Sequence, residues 1–88
     1  MSKPKSPGYH KTEISRGTYG EANKIMEEAS EFADAVYQGS SIMALLELSD
    51  LYGAIEGYLE KYHPSVTMTD IEIMSQITKR AFKNGHRR

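Results

Sequence analysis

Two pairs of acidic residues have the types and the spacing that would bind a divalent cation. Within each pair the acids lie three positions apart, and a Gly39-Ser40-Ser41 break separates the pairs. If the chain turns back at Gly39, residue 28 lies level with residue 50 and residue 31 with residue 47. No Lys, Arg or His lies between the pairs to neutralise them. Four carboxylates are therefore predicted to converge at one cation site, and they are Glu28, Glu31, Glu47 and Asp50.

The chemistry of such a site follows from its ligands. Oxygen ligands without His or Cys favour Mg²⁺, with Mn²⁺ as a substitute, and Mg²⁺ leaves coordination positions for water and substrate phosphates. Such an ion neutralises phosphate oxygens and orients an attacking water. The alternative is an ordinary charged helix surface, on which Lys24 pairs with Glu28 at i, i+4. Two motifs in register across one hairpin favour the metal site.

Two helices must position these acids. A Thr18-x-x-Glu21 capping box predicts the start of the first helix, and Gly39 supplies its left-handed C-terminal cap. Ser41 is the expected N-cap of a second helix, which Pro64 ends. The apolar stripes predicted for the two helices are Ile25, Ala29, Phe32 and Val36, and Ala44, Leu48, Leu51, Ile55, Leu59 and Tyr62. On this pattern the four acids border the buried seam, whereas Glu56 and Glu60 point away from it.

A third helix is predicted from a capping box at Thr69 to a stop at Gly85. No segment shows strand-like alternation, so the fold class is all-α, an antiparallel helical hairpin plus a third helix. Because 88 residues bury only a small core, oligomerisation is expected to complete a four-helix-type bundle. Gly53 and Gly57 lie four residues apart in the second helix and would allow another helix to approach closely.

Charge is segregated along the chain. Residues 1–17 carry four basic residues and one acidic, residues 18–78 two basic and eleven acidic, and residues 79–88 five basic and none acidic. We expect residues 1–17 to be a mobile basic arm before one domain over residues 18–88. The absence of cysteine excludes disulfides and thiolate metal sites. Without a long apolar run or a signal-peptide core, we expect a cytoplasmic protein with no membrane partner.

The acidic motifs and their surroundings resemble the all-α nucleoside triphosphate pyrophosphohydrolases, specifically the MazG-like branch related to phosphoribosyl-ATP pyrophosphohydrolase. That superfamily has E-x-x-E followed by E-x-x-D on the next helix, and residues 19–21, 24–32 and 47–51 match it, including all four acids. The resemblance runs from about residue 18 to the end. It implies Mg²⁺-dependent hydrolysis of a nucleotide between its α and β phosphates, with the four acids holding Mg²⁺ and one of them polarising the attacking water. It also implies a homodimer or homotetramer.

Four basic residues are candidate ligands of the substrate phosphates: Lys24, Lys79, Arg80 and Lys83. The last three lie in a segment that resembles the basic tail of compact relatives, and they are also explained by a solubilising helix face. His10, His63 and His86 have no ligand spacing and carry little weight in the assignment of a site. The aromatic residues Phe32, Tyr37, Tyr52 and Tyr58 are expected to pack in a core or an interface.

A function of a different class stays open beside the hydrolase. It is a non-catalytic helical interaction or nucleic-acid-binding module that uses the basic termini. This alternative predicts salt-dependent binding of DNA or RNA without turnover of any nucleotide, and nucleic acid is the less favoured partner. A third alternative is a relative retained only as a metal-stabilised oligomer, in which Mg²⁺ raises the melting temperature without hydrolysis.

Overall fold

A computed structural model describes residues 10–85 of the protein, and these residues form three α-helices and no strand. The helices are α1 (Ala22–Tyr37), α2 (Ser41–Tyr62) and α3 (Met68–Lys83). Extensive contacts pack α1 against α2 as a hairpin. The all-α prediction is confirmed for the described residues. Within them, no helix is both long enough and apolar enough to cross a membrane.

The turn between α1 and α2 depends on Gly39, which has a φ of +79°. The amides of Gly39 and Ser40 donate to carbonyls in the last turn of α1, the paired bonds of a Schellman motif. Ser40 then caps α2, because its Oγ accepts from the Met43 amide at 3.2 Å. The predicted cap at Gly39 is confirmed, and the N-cap of α2 lies one residue before the predicted Ser41.

The first helix begins later than its sequence predicts. Helix α1 begins at Ala22, and the residue before it, Glu21, makes no side-chain cap. The predicted capping box at Thr18 is therefore wrong. Gly20, with a φ of +93°, turns the chain ahead of the helix, and the Glu21 carboxylate is drawn instead to Lys61 of α2. This contact joins the start of α1 to the end of α2, so the two helices run antiparallel.

The third helix begins earlier than predicted, at a capping box on Thr67 rather than Thr69. The Thr67 Oγ1 accepts from the Asp70 amide at 3.2 Å, and the Asp70 carboxylate accepts from the Thr67 amide at 2.8 Å. Helix α3 buries none of its residues. Its apolar face, which includes Ile73 and Ile77, is exposed to solvent.

The seam between α1 and α2 is acidic. The buried residues of α1 are Glu27, Glu28, Glu31, Asp34 and Ala35. From the predicted apolar stripes Leu59 is buried, but Val36 is 54% exposed and Leu48 is exposed as well. The prediction that the acids border an apolar seam is therefore wrong, because they form the seam themselves. The turn at Gly39 brings the acidic face of α1 against α2, and it leaves Val36 outside and Ile25 and Phe32 only half-buried.

Candidate metal centre

The four predicted acids gather between the two helices of the hairpin. Glu28, Glu47 and Asp50 each bring a ligand oxygen within 4.8 Å of the others. Glu31 belongs to two further groups of the same size, one with Glu28 and one with Glu47. Residues three apart on a helix share one face, and the turn at Gly39 sets the two faces opposite each other. The acids thus form a continuous series of carboxylates along the seam.

Among these acids, Glu47 is the most deeply buried and has neither of its oxygens hydrogen-bonded in the described part of the chain. An ionised carboxylate in such a place costs several kcal/mol, on the order of the penalty for an uncompensated buried charge, unless a cation or a proton offsets it. A divalent cation bound to Glu47 would supply that compensation. The residues present therefore fit a metal ion.

Lys24 lies beside these carboxylates. Its Nζ is 3.0 Å from Glu28 Oε2 and 3.1 Å from Glu27 Oε1. Burial opposes the charged form of Lys24, but the two carboxylates outweigh it and raise the pKa of the amine. The same pairing, together with a hydrogen bond from the Gly17 amide, lowers the pKa of Glu27 against the opposing effect of burial. The ion pair between Lys24 and Glu28 expected from the sequence is present.

An open cleft of about 370 Å³ leads to this part of the seam, and Lys24, Glu28 and Asp50 are among the residues that line it. Tyr19 forms part of its wall and lies against the backbone of α2. A Cβ added to Gly57 would come within 2.5 Å of Tyr19 Cζ. Gly57 therefore allows the close approach of an aromatic ring, where the sequence suggested another helix.

The remaining candidate phosphate ligands lie elsewhere. Lys79, Arg80 and Lys83 are exposed on α3, and the cleft is lined by residues of α1, α2 and the segment before α1. Within one chain the fold therefore brings Lys24 to the acids and leaves these three residues apart from the cleft.

The segment before α1 is fastened to the hairpin by Asp34. The Asp34 carboxylate accepts hydrogen bonds from His10 Nδ1 at 2.8 Å, the Lys11 amide at 3.1 Å and the Thr12 amide at 3.2 Å. The Thr12 hydroxyl and Gln38 Nε2 also donate to it. Burial alone would raise the pKa of Asp34, but these hydrogen bonds outweigh it and hold the pKa well below its usual range. Residues 10–17 of the predicted arm therefore lie against the hairpin, and residues 1–9 are outside the described residues.

His10 is the residue of the centre that sequence reasoning missed. Its side chain is buried, and its Nε2 lies 3.3 Å from Glu47 Oε2 and 3.8 Å from Glu31 Oε1. The expectation that His10 lacks ligand spacing is wrong, because the fold supplies the proximity. The sequence contains one indication of this contact. Asp34 lies three positions after Glu31, as Glu31 does after Glu28, so the three acids share one helix face. A buried acid at position 34 needs hydrogen-bond donors from outside its own helix.

Comparison with known proteins returned no match to a family model, to a curated protein sequence or to a solved structure. The geometry of the acids, Lys24 and the cleft indicates what this site can bind. It sets several carboxylates and one amine beside an open cleft, so it can hold a divalent cation where a phosphate-bearing ligand would reach both the ion and Lys24.

Proposed function

We propose that the protein is a Mg²⁺-dependent nucleotide pyrophosphohydrolase, which cleaves a nucleoside triphosphate or related nucleotide between the α and β phosphates. One observation carries the proposal. Glu28, Glu47 and Asp50 meet within 4.8 Å of one another beside a cleft that Lys24 also lines. The order of these acids on two successive helices is the order on which the resemblance to the all-α pyrophosphohydrolases rests.

Different residues of the chain would have different roles in the proposed reaction. Glu28, Glu31, Glu47 and Asp50 would hold Mg²⁺, which supplies charge neutralisation at phosphate oxygens and activation of a water. Asp50 lines the cleft and is only partly buried, so among the four acids we assign to its carboxylate the role of accepting a proton from an attacking water. Lys24 would exchange its contact with Glu28 for one with a substrate phosphate.

We further propose a homodimer or homotetramer whose subunits cover each other's apolar faces. Among the described residues, Ala35, Ala54 and Leu59 are the buried apolar ones, whereas fourteen large apolar or aromatic side chains are exposed. These include Ile42, Leu45 and Leu46 of α2, which are more than half exposed, and a contiguous apolar patch would be an interaction surface. A second copy presents the same faces, so pairing with it covers both and completes a four-helix bundle.

The same proposed assembly would allow the basic residues of α3 to contact the substrate. Helix α3 buries nothing within its own chain, so its apolar face is available to a neighbouring subunit. Docked there, Lys79, Arg80 and Lys83 would approach the neighbour's cleft and meet substrate phosphates. The exposed Tyr37 and Tyr52 fit the same interface.

Two substitutions test the proposed activity. We expect Glu31→Gln and Asp50→Asn to abolish pyrophosphate release while circular dichroism shows an unchanged helical fold. Glu56→Gln is the matched control, because Glu56 is exposed on α2 and should retain full activity. EDTA should stop the wild-type reaction. Full activity in either site variant, or equal activity in EDTA, contradicts the proposal. A melting temperature that rises with Mg²⁺ in the absence of any hydrolysis identifies a metal-stabilised oligomer instead.

A further inference from the structure

His10 and Asp34 form a pair with the geometry of an oriented metal ligand. Asp34 accepts a hydrogen bond from His10 Nδ1 at 2.8 Å, and both residues are buried. This bond fixes the ring so that its other nitrogen, Nε2, faces the acidic seam. Metal-binding histidines are typically held in this way, with the distal nitrogen donating to a carboxylate that fixes the tautomer and the ring orientation.

The groups that Nε2 faces are spaced as ligands of one ion. Its distances to Glu47 Oε2 and Glu31 Oε1 are 3.3 Å and 3.8 Å. Neighbouring ligands of a divalent ion with bonds of about 2.1 Å lie about 3.0 to 3.5 Å apart. The first distance therefore already fits a shared ion, and the second needs a small movement of one side chain.

Glu47 provides an independent reason for an ion at this place. The fully buried Glu47 carboxylate has two oxygens without a hydrogen bond from any described residue. Glu47 also belongs to two different groups of possible ligands, one with Glu28 and Asp50 and the other with His10 and Glu31. A single ion bound by Glu28, Glu47 and Asp50 would leave His10 Nε2 still facing the carboxylate oxygens of Glu31 and Glu47.

We infer that His10, Glu31 and Glu47 form a second cation position, which takes a divalent transition-metal ion of the Mn²⁺ type rather than Mg²⁺. The imidazole nitrogen sets this preference, because nitrogen ligands favour first-row transition metals whereas Mg²⁺ prefers an all-oxygen shell. Asp34 is a positioning residue that acts through His10. The second position shares Glu47 with the site of the proposed function, but binding there does not depend on hydrolysis.

The competing explanation assigns His10 a different role with an opposite consequence. In that explanation His10 is an internal cation that neutralises the buried acids, and no metal contacts it. Removing an internal cation leaves the carboxylates more negative, so it strengthens the binding of any divalent ion. Removing a ligand weakens the binding of ions that use it.

The deciding experiment loads the full chain with Mn²⁺ in the absence of nucleotide and records pulsed electron paramagnetic resonance. We expect ¹⁴N couplings from a bound imidazole, and their replacement by ¹⁵N couplings when the protein carries ¹⁵N-labelled histidine. His10→Ala should remove these couplings, and His63→Ala should retain them, because His63 is an exposed histidine after α2. Absence of a directly bound nitrogen in the wild-type protein overturns the inference without reliance on any variant.

Calorimetric titrations give the second readout. We expect His10→Gln, which can still donate to Asp34, to weaken Mn²⁺ binding about 10-fold or more while its Mg²⁺ affinity changes far less. Asp34→Asn should weaken Mn²⁺ binding in the same direction. Unchanged or tighter Mn²⁺ binding in His10→Gln overturns the inference and supports the internal cation.

The two proposals fail in different ways. Pyrophosphate release with Mg²⁺ but without a nitrogen-bound Mn²⁺ signal refutes the second position alone. A nitrogen-bound Mn²⁺ signal without pyrophosphate release refutes the hydrolase alone.

Discussion

Replacing Glu47 by Gln should reverse its effect on stability according to whether Mg²⁺ is present. Glu47 is fully buried and accepts no hydrogen bond from the residues described. The substitution removes the charge and keeps nearly the same shape. In the metal-free protein it removes a buried negative charge that accepts no hydrogen bond from the described residues and lies 3.3 Å from the His10 imidazole. In Mg²⁺ it would remove a ligand that belongs to two of the groups of possible metal ligands.

The magnitude follows from two opposing contributions. An uncompensated buried charge costs about 3 to 5 kcal/mol, and a buried amide with imperfect hydrogen bonds costs about 1 to 3 kcal/mol. Glu47→Gln should therefore raise the metal-free unfolding free energy by about 2 kcal/mol, which corresponds to about 10 °C in melting temperature for a domain of this size. A bound ligand at 100 times its Kd stabilises a folded protein by about 2.7 kcal/mol, so Mg²⁺ should stabilise the wild-type protein by that amount and the variant by much less.

The assay is thermal unfolding by circular dichroism at one protein concentration, in EDTA and in a series of Mg²⁺ concentrations. We expect the variant to melt above the wild-type protein in EDTA, and the difference to shrink or reverse as Mg²⁺ is added. Glu60→Gln serves as the control, because Glu60 is exposed on the same helix and should alter neither value. A Glu47→Gln variant that is destabilised equally in both conditions would show that Glu47 does not need a bound cation, since other protein groups would then compensate its charge.

Three further predictions test the contacts around the centre. Gly53→Ala should raise the unfolding free energy by up to about 1 kcal/mol in urea titrations, whereas Gly57→Ala should gain less because its Cβ displaces the Tyr19 ring; equal gains would contradict this contact. The folded-state pKa of Asp34 lies below its usual value of 3.8. The ionised carboxylate therefore stabilises the fold above pH 3.8, and this contribution is lost as the pH falls further. Asp34→Asn should lower the unfolding free energy by about 2 kcal/mol at pH 6 and flatten the acid side of the plot of stability against pH, and an unchanged acid side would contradict the role of Asp34. Leu45→Asp should shift the proposed oligomer towards the monomer in light scattering, and an unchanged mass would argue against an interface on that face of α2.

The fold was largely predictable because its signals are local. Gly39 marks the turn, and the equal spacing of Glu28 and Asp50 on either side of it predicts that they meet across a hairpin. Both follow from helical periodicity and one left-handed residue. Helix boundaries were less predictable, because neighbouring residues offer alternative hydrogen-bond partners near both predicted capping boxes. Asn23 takes the Thr18 amide, and Thr67 caps α3.

The composition of the seam could not be read from periodicity. The acidic and apolar faces of α1 are adjacent, so a pattern of period 3.6 fits either one as the packed face. The register set at Gly39 selects the acids, and it leaves Val36 exposed. The acidic residue Asp34 signals a need for hydrogen-bond donors, but the sequence does not identify His10 as one of them. His10 meets Asp34 across 24 residues, and no local repeat connects the two.

Measurement of the products is the sharpest test of the proposed pyrophosphohydrolase activity. A panel of ribonucleoside and deoxyribonucleoside triphosphates should be incubated with the protein and Mg²⁺, with pyrophosphate, monophosphate and orthophosphate measured separately. We expect equal amounts of monophosphate and pyrophosphate from at least one nucleotide, at a rate that Asp50→Asn abolishes. Orthophosphate as the first product, or no turnover of any nucleotide by the folded protein, would rule out cleavage between the α and β phosphates.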